Sequence, residues 1–158
     1  MKNVYAPSIL KTADGYRMWY TDVGVDRWVI RHAHSTDGKS WRMSPRPCLQ
    51  VDQKWERQRL FYPAVLRIDG VYLMWYGSYW TARRQTTAIG FAVSADGLHW
   101  HKSPANPVLR PDPQRAWESH YVTSQSVMRI GKGRFRIWYA SRRKPPFRNK
   151  YFALNTDV

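Results

Sequence analysis

GVYLMWYGSYW, residues 70–80, opens on a glycine and then alternates. Tyr72, Met74 and Tyr76 fall on one side, Leu73 and Trp75 on the other. Period-two alternation is the strand signal, and aromatic side chains favour it. The string has two relatives in the same chain: GYRMWYT, from Gly15, and GRFRIWYAS, from Gly133. One such stretch is a single strand. Three of them, anchored on Trp19-Tyr20, Trp75-Tyr76 and Trp138-Tyr139, make the chain a repeated unit.

The flanks repeat in the same order. Before each anchor lies a short strand pattern: PSILK (7–11), PAVLR (63–67) and QSVMR (125–129). The links TADG, IDG and IGKG read as hairpin turns. After each anchor comes a third pattern: IRHAHSTDG, IGFAVSADG and KYFALNTD, in which Ala33, Ala92 and Ala153 align, as do Asp37, Asp96 and Asp157. These aspartates are expected to form turns by bonding their own backbone. DGKSW and DGLHW then lead into outer strands with prolines, SPRPCL and SPANPVL, where a missing N–H is tolerated. Trp55-Glu56 and Trp117-Glu118 stand at equal distances before Pro63 and Gln125. The unit is four antiparallel strands of about 60 residues, the pattern of a propeller blade, which needs a neighbour on each face. An all-β sandwich with chance similarity is the alternative.

The motifs from Trp55 to Leu109, above all PAVLRIDGVYLMWYG, IGFAVSADGLHW and NPVL, resemble the blades of the five-bladed β-propeller glycoside hydrolase superfamily: invertase-like, arabinanase-like and mannoside-phosphorylase-like enzymes. The resemblance covers almost the whole chain. It implies an all-β, β-propeller-like fold with about two and three-quarter four-stranded blades, forming one partial domain, 1–158, with units near 1–54, 55–116 and 117–158. Five blades would take about 300 residues at this repeat length. The resembled enzymes carry carboxylates on the innermost strands, often just before the first proline. Those positions here hold Ala6, Tyr62 and Ser124, so that assignment does not carry over.

Glycoside hydrolysis needs two carboxyl groups. The catalytic candidates are Glu118 and Glu56, whose equivalence supports a shared site or a shared structural role. Asp22, Asp26 and Asp52 are loop acids. Candidate substrate-binding residues are His120, Gln125, Tyr62, Trp55 and Trp117, with the arginines Arg83, Arg84, Arg142 and Arg143 from one equivalent loop in two units. His32 and His34 share a strand face but no third ligand follows, so no metal and no cofactor is expected.

The chain has 158 residues, 26 Lys or Arg against 11 Asp or Glu, and a net charge of +15. That imbalance attracts polyanions. Nine tryptophans and ten tyrosines could stack sugars or bases, though most fall on repeat positions. The function expected is a glycosidase-like propeller protein acting on or binding carbohydrate. The alternatives are a non-catalytic scaffold on a degenerate propeller, and a polyanion binder, nucleic acid included, working through its arginine loops. Cys48 is the one cysteine, and no apolar run reaches membrane-span length. The start lacks a secretory signal's apolar core, so a cytoplasmic location is expected. Open blade faces predict self-association into a homodimer or a higher closed oligomer.

Overall fold

The computed structural model describes residues 3–25, 27–80 and 86–143. Strands β1 (Asn3–Thr12), β2 (Gly15–Val23), β3 (Trp28–Ser35) and β4 (Arg42–Met43) form one antiparallel sheet in chain order. Strands β5 (Leu60–Ile68), β6 (Val71–Tyr79), β7 (Thr87–Ser94) and β8 (His101–Lys102) form a second sheet of the same design. Strands β9 (Tyr121–Gly131) and β10 (Arg134–Arg142) begin a third. Its expected next strand, KYFALNTD, lies outside the described residues, as do Arg83, Arg84 and Asp26. The fold is all-β and built of propeller blades, and the described sheets do not close into a ring.

Local chemistry sets each blade. The β5–β6 hairpin turns on Asp69 and Gly70, both with left-handed backbone (φ 50° and 85°), as a tight hairpin of this type requires. The Asp-Gly turns after β3 and β7 are near copies. Asp37 Oδ1 accepts the N–H groups of Lys39 (2.8 Å) and Ser40 (2.7 Å), while Asp96 Oδ1 accepts those of Leu98 and His99 (both 2.8 Å). Ser35 and Ser94 each accept the following glycine N–H at 2.8 Å. Hydrogen bonds from these N–H groups hold both carboxyls well below the usual carboxylate range, Asp37 at about 2.

The outer strands differ from expectation. Each is only two residues long, and the chain then leaves the sheet at Ser-Pro and returns as a single bridge, Ile30 to Leu49 in the first blade and Ile89 to Leu109 in the second. The prolines break the ladder between the two contacts. In the second blade Asn106 fills the gap, its side chain accepting the Phe91 N–H at 2.8 Å and donating to the Phe91 carbonyl at 3.0 Å.

Blades pack face to face. Between the first and second lie Trp19, Ile30, Val65, Tyr72, Met74 and Tyr76, all buried. Trp19 Nε1 donates to the Gly97 carbonyl at 2.8 Å, tying one blade's second strand to the next blade's turn. Between the second and third lie Trp75, Ile89 and Val122, flanked by Phe91, Phe135 and Ile137. The innermost strands are the contact at the axis. Ser8 Oγ accepts the Val65 N–H (3.0 Å), and Thr21 Oγ1 accepts the Tyr62 N–H (3.1 Å).

Candidate functional site

Each inner strand carries a β-bulge at the same place. The pairing register slips between Tyr5 and Ser8, between Phe61 and Ala64, and opposite Thr123 and Ser126. Ala6, Tyr62 and Ser124 sit in these bulges with φ of 54°, 52° and 52°. Such backbone is uncommon for residues with a Cβ and is found where a side chain must be re-aimed. The three positions that the family resemblance singled out are therefore special in geometry, and they carry no acid.

Beside the bulges, at the end where the inner strands begin, the blades enclose a cleft of about 410 Å³. Its walls are aromatic: Tyr5, Trp28, Phe61, Tyr62, Tyr79 and Tyr121. The rings meet mostly edge to face. Tyr5 lies 5.6 Å from Trp28 and 5.8 Å from Tyr62, and Phe61 lies 5.4 Å from Tyr79. Burial, then the Tyr62 and Tyr79 phenols, push Tyr5 up to about 12, against the pull of the Arg59 guanidinium. Polar groups come from Thr87, Thr123, Ser124 and Ser141, and one charge from Arg142. Thr87 and Ser141 are spoken for: Thr87 Oγ1 donates to the Val122 carbonyl at 2.9 Å, and Ser141 Oγ to the Tyr121 carbonyl at 2.6 Å. Thr123 Oγ1 is buried with no hydrogen-bond partner. No Asp or Glu is among the described lining residues.

Of the residues chosen from sequence, the structure brings Tyr62 and Arg142 together in this cleft. Gln125 lies deeper on the axis, where its Nε2 donates to the carbonyls of Tyr62 and Trp75 and so joins the second and third blades. His120 is buried behind the wall, edge-on to Tyr121 at 4.9 Å, with its N–H on the Arg142 carbonyl. Arg143 is half-buried and does not line the cleft.

Glu56 and Glu118, expected as carboxylates for catalysis, lie away from the cleft lining, buried in equivalent clamps. Glu56 Oε1 accepts the Tyr76 hydroxyl (2.8 Å), and Oε2 accepts the N–H groups of Asp52 (2.9 Å) and Gln53 (3.1 Å) and meets Lys102 Nζ at 2.8 Å. Glu118 accepts the Tyr139 hydroxyl on one oxygen and Arg115 Nη1 (3.1 Å) on the other. Their tryptophans cover the same tyrosines: Trp55 lies 5.9 Å from Tyr76, and Trp117 stacks on Tyr139 at 6.4 Å. Burial and then the neighbouring glutamate raise both phenols, Tyr139 to about 12. The repeated Trp-Glu pair is thus a hook from the incoming chain onto the tyrosine of the Trp-Tyr anchor; Glu56 accepts from four donors and Glu118 from two.

The histidines on β3 have separate partners. His32 Nδ1 meets Ser44 Oγ at 3.1 Å, and His34 Nε2 meets the Asp14 carbonyl at 3.1 Å. Among the described residues no cluster of three metal-ligating side chains occurs.

The cleft residues that sequence reading passed over have a common signal. Tyr5, Phe61 and Thr123 share one repeat position, Trp28 and Thr87 another, and Tyr79 shares a third with the sequence candidate Arg142. All are positions where the repeat does not preserve residue type, at one end of the strands.

Comparison with solved structures places this architecture. A family 117 glycoside hydrolase from the marine bacterium Zobellia galactanivorans superposes with a TM-score of 0.76 at 15% identity, over 89% of this chain and 48% of that one. The fold is that of the propeller glycoside hydrolases. A second glycoside hydrolase matches with a TM-score of 0.72 at 17% identity, over 99% of this chain and 50% of that one. An N-acetylgalactosamine deacetylase from F. plautii, in complex with blood group B trisaccharide, matches with 0.67 at 18%, over 85% and 40%. The chain therefore spans about half the length of the first two structures. No family model and no curated protein matches the sequence.

Proposed function

We propose that the axial cleft binds carbohydrate and that these blades are the sugar-binding part of a glycosidase-type propeller. The observation carrying this reading is the wall of six aromatic side chains around a cavity of about 410 Å³, with hydroxyls and a guanidinium at its edge. Aromatic faces with a few placed polar groups are what a small-ligand site offers, and flat rings suit the apolar faces of sugars. The fold shared with sugar-acting enzymes supports the same class of ligand.

Hydrolysis is a further step that these residues do not supply. A glycosidase needs an acid and a second carboxylate flanking the bond, and the described lining has neither. We read Glu56 and Glu118 as blade hooks, and His120 and Gln125 as supports of the cleft wall. Any catalytic carboxylate would come from outside the described cleft lining. Without one, the protein is a carbohydrate-binding scaffold.

Calorimetric titration against a panel of oligosaccharides tests the reading. Binding is expected, and Trp28→Ala or Tyr62→Ala should weaken it by about tenfold, as for loss of one aromatic anchor. Absence of binding to every sugar, or equal binding by both variants, would overturn it.

A further inference from the structure

Three side chains of the first blade reach across to the second. Ser8 Oγ accepts the Val65 N–H at 3.0 Å, Arg17 Nη1 donates to the Asp96 carbonyl at 2.8 Å, and Trp19 Nε1 donates to the Gly97 carbonyl at 2.8 Å. The same three residue types recur at the same repeat positions of the third unit, as Ser126, Arg136 and Trp138. The second unit has Ala64, Leu73 and Trp75 there, so the repeat by itself does not force the match. Strand pairing keeps the alignment: Ser8 lies opposite Trp19 and Ser126 opposite Trp138, while Leu10 lies opposite Arg17 and Met128 opposite Arg136. Trp19 is fully buried, whereas Ser126, Arg136 and Trp138 are exposed. Arg136 lies 6.0 Å over the Trp138 ring. Among the described residues neither its guanidinium nor the Trp138 indole N–H has a hydrogen-bond or ion-pair partner.

The receiving surface is repeated as well. The turn that takes Arg17 and Trp19, Asp96-Gly97, has its copy in Asp37-Gly38 of the first blade, with glycine φ of 76° and 73°. A Cβ at Gly97 would lie 2.9 Å from Trp19 Cζ2 and 3.5 Å from the Tyr72 ring. At Gly38 the three nearest atoms all belong to Tyr16, the counterpart of Tyr72, at 3.4 Å or more, so the place of the tryptophan is open. Among the described residues no donor reaches the Asp37 or Gly38 carbonyl. Ile9, the counterpart of Val65, is 49% exposed.

We propose that the third blade grips the first blade of a second copy of this chain, with Trp138 Nε1 donating to the Gly38 carbonyl, the Arg136 guanidinium to the Asp37 carbonyl, and the Ile9 N–H to Ser126 Oγ. The chain carries both halves of a joint that it already makes once inside itself, one half at each end. Two different faces meet, so copies joined in this way form a closed ring or a filament. Covering Trp138 and Met128 removes apolar surface from water, and the two carbonyls satisfy donors that burial would otherwise strand. Arg136 comes to rest beside the Asp37 carboxylate, a local attraction between chains of like net charge. Thr21, which accepts the Tyr62 N–H at 3.1 Å, has no counterpart in the grip, because Ala140 stands in its place. The joint is independent of what the cleft binds.

The test is sedimentation of the full chain at micromolar concentration and physiological salt, where an assembly larger than a monomer is expected. Trp138→Phe keeps a ring and loses the N–H, and Arg136→Ala removes the guanidinium from an exposed site. Each should raise the dissociation constant about tenfold. Gly38→Ala puts a carbon where the incoming tryptophan must lie and should abolish the assembly. Gly70→Ala alters a similar left-handed glycine in an open turn of the middle blade and should leave the assembly unchanged. Trp138→Glu chains and Gly38→Ala chains, each monomeric alone, should recover a dimer when mixed, because one intact joint remains. A monomeric unaltered chain overturns the proposal. So does an assembly indifferent to Trp138→Phe and Arg136→Ala, one lost equally in Gly70→Ala, or a mixture that stays monomeric.

Discussion

Tyr20 and Tyr76 occupy the same place in successive blades, and their hydroxyls meet opposite fates. Tyr76 donates to Glu56 and accepts from Asn106 Nδ2 (3.1 Å). Tyr20 is just as buried, and its hydroxyl has no partner. Removing a satisfied buried hydroxyl strands its partners, whereas removing an orphan relieves a desolvation cost. Tyr76→Phe should therefore cost about 1–3 kcal/mol in urea unfolding, and Tyr20→Phe should be neutral or stabilising by up to about 1 kcal/mol. Equal losses for the two would contradict the clamp. His32 makes a second contrast between blades. It packs against Trp19 as Phe91 packs against Trp75, at 5.4 and 5.0 Å. Burial first, then Arg17 and His34, lower its pKa to about 4, with Asp96 pulling the other way. The unfolded chain then takes up this proton at higher pH than the folded one. Stability is fully present above pH ~6.5 and declines as pH falls towards 4, by on the order of 2 kcal/mol. His32→Phe should flatten the stability profile across that window. Asp37 and Asp96, held below the usual carboxylate range when folded, add a loss of the same sign only as pH falls to about 4 and below, where the unfolded carboxylates take up protons.

At the scale of the element, the hook explains a glycine that strand propensity alone would disfavour. Gly90 lies in mid-strand β7, opposite Tyr76 in the ladder. A Cβ there would lie 2.6 Å from Tyr76 Cζ and 2.7 Å from Trp55 Cζ2. Gly90→Ala should force Trp55 off Tyr76 and cost about 1–3 kcal/mol, the range for overpacking. Gly70, at φ 85° in an open turn with nothing within 4 Å of the added carbon, has only its backbone to strain. Gly70→Ala should cost about 1 kcal/mol. Thermal unfolding of the two variants compares them directly, and a smaller effect at Gly90 than at Gly70 would show that the hook yields easily. In the first blade Arg31 stands where the second has Gly90. It is held by Asp22 (2.5 Å) and the Pro45 carbonyl (3.0 Å).

At the scale of the molecule, the two end blades expose what the middle blade buries. Trp138 is 49% exposed and its counterpart Trp75 is 5% exposed; Ile9 is 49% exposed and its counterpart Val65 is 4% exposed. Met128 and Ile130 lie on the same open face as Trp138, and Met43 is exposed beside the open first blade. We propose that copies of this chain pair head to tail, the open face of the third blade on the open face of the first, so that two copies close a ring about a twofold axis. Each face would remove about 800 Å² per partner from water, an ordinary interface. Apolar burial at about 25 cal/mol per Å² outweighs the screened repulsion between chains of +15 each. Sedimentation at micromolar concentration and physiological salt should give a dimer or a larger closed assembly, and Trp138→Glu should dissociate it. A compact monomer of 18.7 kDa would refute this pairing.

The repeat was legible in the sequence because it is local. Alternation, hairpin glycines and the Asp-Gly turns act within a few residues, so GVYLMWYGSYW and its two relatives determined the strands, their order and the blade architecture. The short outer strands were less legible, since only the structure shows Asn106 replacing a stretch of ladder. The site was hardly legible at all. Glu56 is used up by Lys102, 46 residues away in the chain, and by Tyr76, 20 residues away. Nothing near Glu56 in sequence announces either contact. The cleft gathers Tyr5, Trp28, Tyr62, Tyr79, Tyr121 and Arg142 from three blades. Tyr62 and Arg142 were candidates from sequence, but Tyr5, Trp28, Tyr79 and Tyr121 are unremarkable strand-end residues on their own, and only the packing of inner strands around a common axis turns them to face one another.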